Sequence, residues 1–268
     1  MSKLNLKGRL VLVGAGKMGS AMLEGWLKNG LDPARTVIFD PAAQNLPAGV
    51  TINPDAESIT DAEVVIIAVK PQVMQDVLPG IACLKKSNPL IISVAAGKTI
   101  ASFAEHFGQD AAIIRTMPNT PAAVGRGITA MAAKQNVTAE QKALAEALLS
   151  AIGEVVSVDN EQMIDAVTAV SGSGPAYVFY VTECMAKAGE KLGLSPELSM
   201  QLARATVSGA GELMRQSGIE AATLRENVTS PKGTTYAALQ VLMAENGLQP
   251  IFDRALKAAA DRSRELAS

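Results

Sequence analysis

The chain has 268 residues, of which 48% are hydrophobic and 19% are charged, a composition typical of a soluble globular protein with room for two domains. With 24 Lys and Arg against 26 Asp and Glu residues, the net charge is −2, which excludes a dominant basic face for nucleic acid. The two cysteines, Cys83 and Cys184, show no disulfide or metal-ligand spacing. We therefore expect small molecules or a second copy of the chain as partners, with no nucleic acid and no metal.

The lengths of the apolar runs indicate whether a segment could cross a membrane. The longest, such as Val64–Val69 and Pro89–Gly97, fall well short of the roughly 18 residues that a membrane helix needs. No separate apolar segment precedes the first predicted strand, so no secretory signal is expected. These observations predict a cytoplasmic protein without a membrane partner.

From Arg9 to about Val158, β-rich runs alternate with segments of helical composition. This alternation is typical of βαβ units around a mostly parallel, doubly wound sheet. We predict an α/β domain of the Rossmann type over residues 1–160. Its predicted strands are residues 9–13, 36–40, 63–69, 90–96, 111–117, 127–133 and 154–158.

The first strand runs into "GAGKMG", which has the glycine spacing of the dinucleotide fingerprint and opens a predicted helix. Gly14 would allow the tight turn, Gly16 would let the backbone approach a pyrophosphate, and Gly19 would let helix and strand pack closely. A compact strand-to-helix turn without a ligand is the alternative. The predicted pyrophosphate-binding residues are Gly14, Ala15, Gly16, Lys17, Met18 and Gly19.

Asp40 ends the second predicted strand. A carboxylate there can bridge the ribose hydroxyls of NAD and would repel the 2′-phosphate of NADP, which favours NADH. The alternative is that Asp40, followed by Pro41, only begins a turn.

Three further strands end in "AVKP" (68–71), "SVAAG" (93–97) and "RTMPNTP" (115–121). Ligands bind at the carboxyl ends of the strands in such sheets, so Lys70 is well placed beside a nucleotide. We expect these three strand ends to form the walls of a nicotinamide site.

Past Val158 the apolar residues follow helical spacing. Helices are predicted over 161–170, 175–193, 195–218, around Tyr236 and over 250–266. Gly193 and Gly218 are expected to end helices, and Ser195 to begin one. We predict a helical domain over residues 161–268 that binds a second copy of the chain.

The chain is poor in candidate acid–base groups. The only histidine, His106, lies in an amphipathic segment and is expected at the surface, and neither cysteine has a neighbouring base. Hydride transfer to or from an alcohol carbon needs a group that moves the hydroxyl proton, whereas a protonated C=N bond already carries its proton. The composition of the site therefore favours imine reduction, in which the protein only orients the reactants.

A predicted helix begins at Thr234 or Thr235, within "TSPKGTTY". The free amides of Gly233, Thr234 and Thr235 would favour an anion such as a substrate carboxylate. The hydroxyls of Ser230 and Thr235 add polar contacts, and that of Thr235 can accept a hydrogen bond from an iminium N–H. A plain helix cap is the alternative.

The motifs "GAGKMG", "AVKP", "SVAAG", "MPNTP", "IDAVTAVSGSGPAY" and "NVTSPKGTT", in this order, resemble the pyrroline-5-carboxylate reductase family nearly end to end. The last two motifs are specific to it. The resemblance implies reduction of 1-pyrroline-5-carboxylate to L-proline with NADPH or NADH, the final step of proline synthesis. It also implies a Rossmann domain joined to a helical dimerisation domain, with dimers that can assemble into rings.

The resemblance also implies site residues. The substrate loop would be Ser230–Thr235, with amides from Gly233, Thr234 and Thr235 on the carboxylate and the Thr235 hydroxyl on the reacting ring nitrogen. Glu161 matches a position near the substrate. The implied cofactor contacts beyond the glycine motif are Ala68, Val69, Lys70, Pro71, Ala95, Ala96, Gly97 and Asn227.

The sequence departs from the family pattern at Lys17, Lys232 and Asp40, and Asp55 is expected near the same pocket as Asp40. Lys17 stands where Asn is common, and a cation there favours a pyrophosphate. Lys232 replaces the first of two glycines, so we expect either a backbone conformation open to non-glycine residues or an ammonium that helps to bind the carboxylate. Asp40 and Asp55 disfavour the NADPH preference common in the family.

Two other functions are compatible with the general plan. A β-hydroxyacid dehydrogenase needs a catalytic lysine soon after a glycine-rich turn, but the first lysine after "SGSGPAYVFY" is Lys187. A non-catalytic dinucleotide sensor would need the Gly14–Gly19 loop but not "TSPKGTT". Loss of turnover with intact dinucleotide binding in Thr235→Ala would distinguish the reductase from the sensor.

Overall fold

The computed structural model describes residues 4, 6–44 and 46–267. Contacts divide the chain into unit 1, Met1–Gly172 with Ala259–Ser268, and unit 2, Ser173–Ala258. The predicted boundary after residue 160 stays a prediction; it marks the change from strands to helices along the described chain. Within that part of the chain, no helix combines the length and the apolar character needed to cross a membrane.

Unit 1 contains one sheet of eight strands in the order β3-β2-β1-β4-β5-β6-β7-β8. All neighbouring strands are parallel except β6 and β7. This confirms the predicted Rossmann-type, mostly parallel sheet. The strands are β1 Arg9–Val13, β2 Thr36–Phe39, β3 Thr51–Ile52, β4 Ala62–Ile67, β5 Leu90–Ser93, β6 Ile113–Met117, β7 Gly127–Ala133 and β8 Gly153–Ser157.

Alternate residues of each inner strand point to opposite faces of the sheet. Because the residues on both faces are apolar, helices cover both faces. Leu10 and Leu12 belong to one apolar core together with Trp26, and Val11 and Val13 belong to the other together with Phe103. Trp26 is fully buried, and its Nε1 donates to the Leu148 carbonyl at 2.8 Å. Unit 1 contains α1 Lys17–Lys28, α2 Met74–Ile81, α3 Ile100–Phe107, α4 Ala139–Leu149 and α5 Met163–Val167, followed by a π-helical turn, Thr168–Gly172.

Unit 2 is helical, as predicted. The Ser195 side chain accepts from Leu198 N at 3.2 Å at the start of α7, and Gly218 follows its end with φ 62°, which confirms both predicted limits. The helices are α6 Gly174–Lys191, α7 Pro196–Ser217, α8 Ala221–Asn227, α9 Thr234–Leu242 and α10 Leu248–Ala267, whose last residues belong to unit 1.

Unit 2 exposes many large apolar side chains. Phe179 and Tyr180 on α6 are each 63% exposed, and Val241 on α9 is 72% exposed. Further exposed members are Val178, Met185, Leu202, Leu213, Met214, Leu242 and Met243. Apolar surface on this scale is typical of a protein interface.

Candidate functional site

The glycine loop between β1 and α1 has little space on its protein side. Gly14 has φ 97°, and a Cβ there would lie 2.8 Å from the Ala68 carbonyl; a Cβ on Gly19 would lie 2.1 Å from the Gly14 oxygen. Around Gly16, by contrast, no atom of the described residues lies within 4 Å of such a Cβ. The loop is therefore closed toward the sheet at Gly14 and Gly19 and open toward solvent at Gly16, where a ligand can approach the backbone.

Asp40 follows β2 and is fixed against this loop. Its Oδ2 accepts from Ala15 N at 2.7 Å, and its Oδ1 accepts from Ala42 N at 2.8 Å. Its backbone N–H donates to Asn53 Oδ1 at 2.8 Å, and its carbonyl accepts from Asn53 Nδ2 at 3.0 Å. Each carboxylate oxygen keeps a further lone pair. Asp40 therefore makes the predicted turn and can still accept hydrogen bonds from a ligand.

A cavity of about 790 Å³ opens beside Asp40, within the range usual for small-molecule sites. Its lining includes the predicted residues Gly14, Gly16, Asp40, Asp55, Ala68, Val69 and Lys70. It also includes Asn53 and Glu57, which were not predicted because they follow β3, a strand of two exposed residues that leaves no apolar run.

The carboxylates of this cavity differ in their partners. Asp55 Oδ1 accepts from Glu57 N at 3.1 Å, and Glu57 forms an ion pair with Lys86 at 2.5 Å. The hydrogen bond and charge of Glu57 raise the pKa of Lys86, as expected for an ammonium paired with a carboxylate. The carboxylates of Asp40, Asp55 and Glu57 make one wall of the cavity acidic.

The loops after β1, β4 and β5 lie side by side at the carboxyl edge of the sheet. Ala68 N donates to the Val13 carbonyl at 2.7 Å, and Val94 N donates to the Ile67 carbonyl at 3.0 Å. The chain therefore brings Gly14–Gly19, Ala68–Pro71 and Ala95–Gly97 to one edge, as their positions after parallel strands predict.

Asn119, in the loop after β6, is buried and joins two other segments. Its Nδ2 donates to the Ser171 carbonyl at 3.1 Å in the π-helical turn, and its Oδ1 accepts from Ile128 N at 3.0 Å. Its motif, "MPNTP", is visible in the sequence, but no role for the asparagine was predicted from it. Its partners are distant in the chain, so the sequence holds no direct signal for them.

Glu161, predicted to lie near the substrate, has close protein partners. Its Oε1 accepts from Ile100 N at 2.8 Å and from Arg115 Nη1 at 3.0 Å. Arg115 is only 3% exposed, on β6. Arg115 was not predicted as a site residue, because a single arginine within "AAIIRTM" does not disturb the prediction of a strand.

The predicted substrate loop in unit 2 is a turn followed by a helix. Asn227 ends α8, and α9 begins at Thr234, as predicted. Gly233 N donates to the Ser230 carbonyl at 3.0 Å, so the amide of Gly233 is not free, contrary to our expectation. The amides of Thr234 and Thr235 lie in the first turn of α9, and no described side chain caps that helix.

Lys232 lies within this turn with φ 58°. It therefore keeps the left-handed conformation in which glycine is usual, after a proline, as at the third position of a type II turn. This small left-handed region is open to non-glycine residues, as expected, although they occupy it rarely. The left-handed backbone costs roughly 1–2 kcal/mol for a residue with a Cβ.

Comparison with known proteins covers nearly the whole chain. A family model described as pyrroline-5-carboxylate reductase dimerisation matches residues 161–266, and one described as NADP oxidoreductase, coenzyme F420-dependent, matches residues 9–97. A pyrroline-5-carboxylate reductase of Pseudomonas aeruginosa is 42% identical over 265 residues, 97% of each chain. One of Glycine max is 38% identical over 264 residues, 96% of this chain and 95% of the relative.

Solved structures are similar over the same extent. A pyrroline-5-carboxylate reductase of Coxiella burnetii has 34% identity and a TM-score of 0.91, and the match covers 98% of this chain and 100% of that one. The Plasmodium falciparum enzyme, solved with NADP bound, has 30% identity and a TM-score of 0.82, with 98% and 99% covered.

Proposed function

The chain belongs to the pyrroline-5-carboxylate reductase family, and we propose that it reduces the cyclic imine 1-pyrroline-5-carboxylate to L-proline with NADH as the preferred cofactor. As a member of this family it is an oxidoreductase that uses a nicotinamide cofactor. The observation that carries the proposal is the 42% identity over 97% of the chain. The site geometry supports it residue by residue.

Unit 1 would hold the cofactor. The open backbone at Gly16 and the start of α1 fit a pyrophosphate, since amides at a helix N-terminus favour an anion. The free lone pairs of Asp40 fit ribose hydroxyls. We assign the loops after β4 and β5, with Ala68–Pro71 and Ala95–Gly97, to the nicotinamide end. When bound, the cofactor supplies the hydride.

The acidic wall of the cavity supports NADH over NADPH. A 2′-phosphate carries about −1.5 to −2 charges at neutral pH. Beside Asp40 and Asp55 it would meet like charges. Of the nearby cations, Lys86 is already paired with Glu57, and Lys70 belongs to the loop that we assign to the nicotinamide end. These charges would therefore weaken NADPH more than NADH.

Unit 2 would hold the substrate. The amides of Thr234 and Thr235 at the start of α9 would bind its carboxylate, and the hydroxyls of Ser230 and Thr235 would add hydrogen bonds. The Thr235 hydroxyl would accept from the ring N–H and hold the C=N bond in one orientation. No residue needs to donate a proton during this step, because the imine binds in its protonated form.

The family model that matches residues 161–266 is a dimerisation model, and self-association follows from it. We propose that the exposed apolar side chains of unit 2, such as Phe179 and Val241, form the dimer interface. Assembly of dimers into a ring and a cytoplasmic location stay predictions from the sequence.

The experiment that tests the proposed function follows nicotinamide absorbance with purified protein, 1-pyrroline-5-carboxylate and either NADH or NADPH. We expect oxidation of both cofactors and a higher kcat/KM for NADH. Protein that is folded and binds dinucleotide but oxidises neither cofactor would exclude this reaction. A higher kcat/KM for NADPH would exclude only the cofactor preference.

A further inference from the structure

The segment Val94–Thr99, here called the β5 loop, joins β5 to α3 and contains three of the predicted nicotinamide contacts. Its shape is not set by its own sequence alone. Gly97 has φ 69°, and the only side-chain hydrogen bond at the start of the loop among the described residues runs from Ala95 N to Ser93 Oγ at 3.2 Å. At its end the Thr99 side chain caps α3 by accepting from Ser102 N at 3.2 Å, and contacts from distant parts of unit 1 reach Gly97 and Ile100.

The end of the β5 loop is held by a carboxylate. Ile100, the first residue of α3, donates its backbone N–H to Glu161 Oε1 at 2.8 Å. A carboxylate at this position complements the positive end of the helix. The same oxygen accepts from Arg115 Nη1 at 3.0 Å, so the position of Glu161 depends on Arg115.

Arg115 lies in β6, between β5 and β7, and its side chain is 3% exposed. Its Nη2 is 4.0 Å from Asp165 Oδ1, and its Nε has no hydrogen-bond partner among the described residues. A buried charge of this kind is stable only when it is paired. Arg115 and Glu161 therefore fix each other, and through them the start of α3 is fixed to the interior of the sheet.

The last turns of α10 join the same cluster. Ser263 Oγ donates to Asp165 Oδ1 at 2.7 Å, and Ser263 is buried. A Cβ on Gly97 would lie 3.0 Å from the Leu266 carbonyl oxygen, so α10 lies directly against the β5 loop. The loop is thus held at Gly97 by α10 and at Ile100 by Glu161. Arg115 lies between Glu161, which binds Ile100, and Asp165, which binds α10 through Ser263.

We propose that Arg115 is a positioning residue for hydride transfer, which acts through Glu161 to hold the β5 loop in the conformation that orients the nicotinamide ring. The proposal rests on the proposed function, since it needs the nicotinamide end of the cofactor at the β5 loop. Arg115 itself does not touch the cofactor in this role. In this role Glu161 affects the reaction through its hydrogen bond from Ile100 N and needs no direct contact with the substrate.

The test compares Arg115→Met with Glu161→Gln and with a control, Arg9→Met. Arg9 lies at the start of β1 in the same sheet and pairs with Asp61 at 3.0 Å, so its loss removes an ion pair that does not reach the β5 loop. Steady-state kinetics gives kcat and KM. Affinities for NADH and for ADP-ribose, which lacks the nicotinamide, are measured without imine by calorimetry, and Tm is recorded for each variant.

For Arg115→Met we expect kcat/KM to fall about 100-fold, the effect of misplacing a reacting group by about 1 Å. NADH affinity should fall several-fold, while ADP-ribose affinity should stay within about twofold of the wild type, because the glycine loop and Asp40 are not part of the cluster. Glu161→Gln keeps an oxygen acceptor for Ile100 N but removes the charge that pairs with Arg115, so its kcat/KM should fall by a smaller factor, about tenfold. Arg9→Met should leave all three quantities unchanged.

An unchanged kcat/KM in Arg115→Met, or equal losses of NADH and ADP-ribose affinity, would overturn the proposal in favour of a purely structural role. If Arg115→Met does not fold, Glu161→Gln provides the same two readouts, and the same outcomes then support or overturn the proposal. Failure of the proposed reaction would show in the wild-type assay with the imine. The comparison of NADH with ADP-ribose needs no imine and would still decide the role of Arg115.

Discussion

At the carboxyl edge of the sheet, the residues proposed to hold the cofactor are fixed by packing, whereas the residues proposed to hold the substrate, at the start of α9, lie at a surface. Gly14 and Gly19 leave no room for a Cβ, and hydrogen bonds hold both the carboxylate and the backbone of Asp40. Ser230, Lys232 and Thr234 are exposed. Apart from Asn227, the proposed cofactor contacts therefore lie within unit 1. The proposed substrate contacts rely on backbone geometry in unit 2, which leaves much apolar surface uncovered.

The largest expected effects come from two glycine substitutions in unit 1. Gly19→Ala places a Cβ against the Gly14 carbonyl and should lower both Tm and NADH affinity, the latter by about 100-fold, or ~2.7 kcal/mol. Gly16→Ala meets no described atom within 4 Å, so its Tm should stay unchanged while NADH affinity falls. Calorimetric binding and thermal unfolding measure both. A Gly16→Ala variant with wild-type NADH affinity would contradict the proposed approach of the pyrophosphate.

In unit 2, Thr235→Ala should affect turnover without affecting the cofactor. Loss of a hydrogen bond to a charged N–H costs about 1.5–3 kcal/mol, so kcat/KM for the imine should fall about 10- to 100-fold. NADH affinity, measured without imine, should be unchanged. Thr235→Ser keeps the hydroxyl and is the matched control. Equal losses in both variants would assign the effect to packing of the threonine methyl group.

A smaller effect is expected on the preference for NADH over NADPH when a carboxylate in the cavity of unit 1 is replaced. Asp40→Ser removes the charge beside the ribose, and we expect the ratio of kcat/KM for NADPH to that for NADH to rise by about tenfold, the effect of ~1.4 kcal/mol of relieved repulsion. Glu57→Gln removes a second carboxylate of the acidic wall and leaves Lys86 without its partner, so this ratio should rise there too, but by less than in Asp40→Ser. A larger change in Glu57→Gln than in Asp40→Ser would place the selective charge elsewhere in the cavity.

Substitution of Lys232 has the smallest expected effect: it should stabilise the fold slightly and weaken binding of the imine. Lys232→Gly relieves the left-handed strain but makes the unfolded chain more flexible, so the free energy of unfolding should rise by about 1 kcal/mol or less. Loss of the ammonium should raise KM for the imine a few-fold. Lys232→Met keeps the strain and removes only the charge. If Lys232→Met leaves KM unchanged, the lysine does not assist carboxylate binding.

The sequence predicted most of the sheet, because its inner strands are buried on both faces and form apolar runs such as Val64–Val69. It missed β3, since Thr51 and Ile52 are an exposed pair at the sheet edge. The glycine motif was predictable because its spacing is local. The Arg115 and Glu161 pair was not, since 46 positions separate the two residues and only the folded sheet brings them together.

The position of the substrate loop was predicted, but its hydrogen bonds and backbone conformation were not. Helix-capping residues indicated a start at Thr234 or Thr235, and α9 begins there. The hydrogen bond from Gly233 N to Ser230 and the left-handed Lys232 follow from how the turn closes, which the residue types alone did not show.

The burial of Trp26 has a consequence for spectroscopy. Trp26 is the only tryptophan of the chain, and it lies in unit 1 on the helix that follows the glycine loop, whereas the three tyrosines, Tyr177, Tyr180 and Tyr236, all belong to unit 2. The two chromophores therefore report on different halves of the molecule. Indole emission would follow the loss of structure in the nucleotide-binding half, and phenol absorbance would follow the helical half, so one unlabelled sample can show whether the two unfold together.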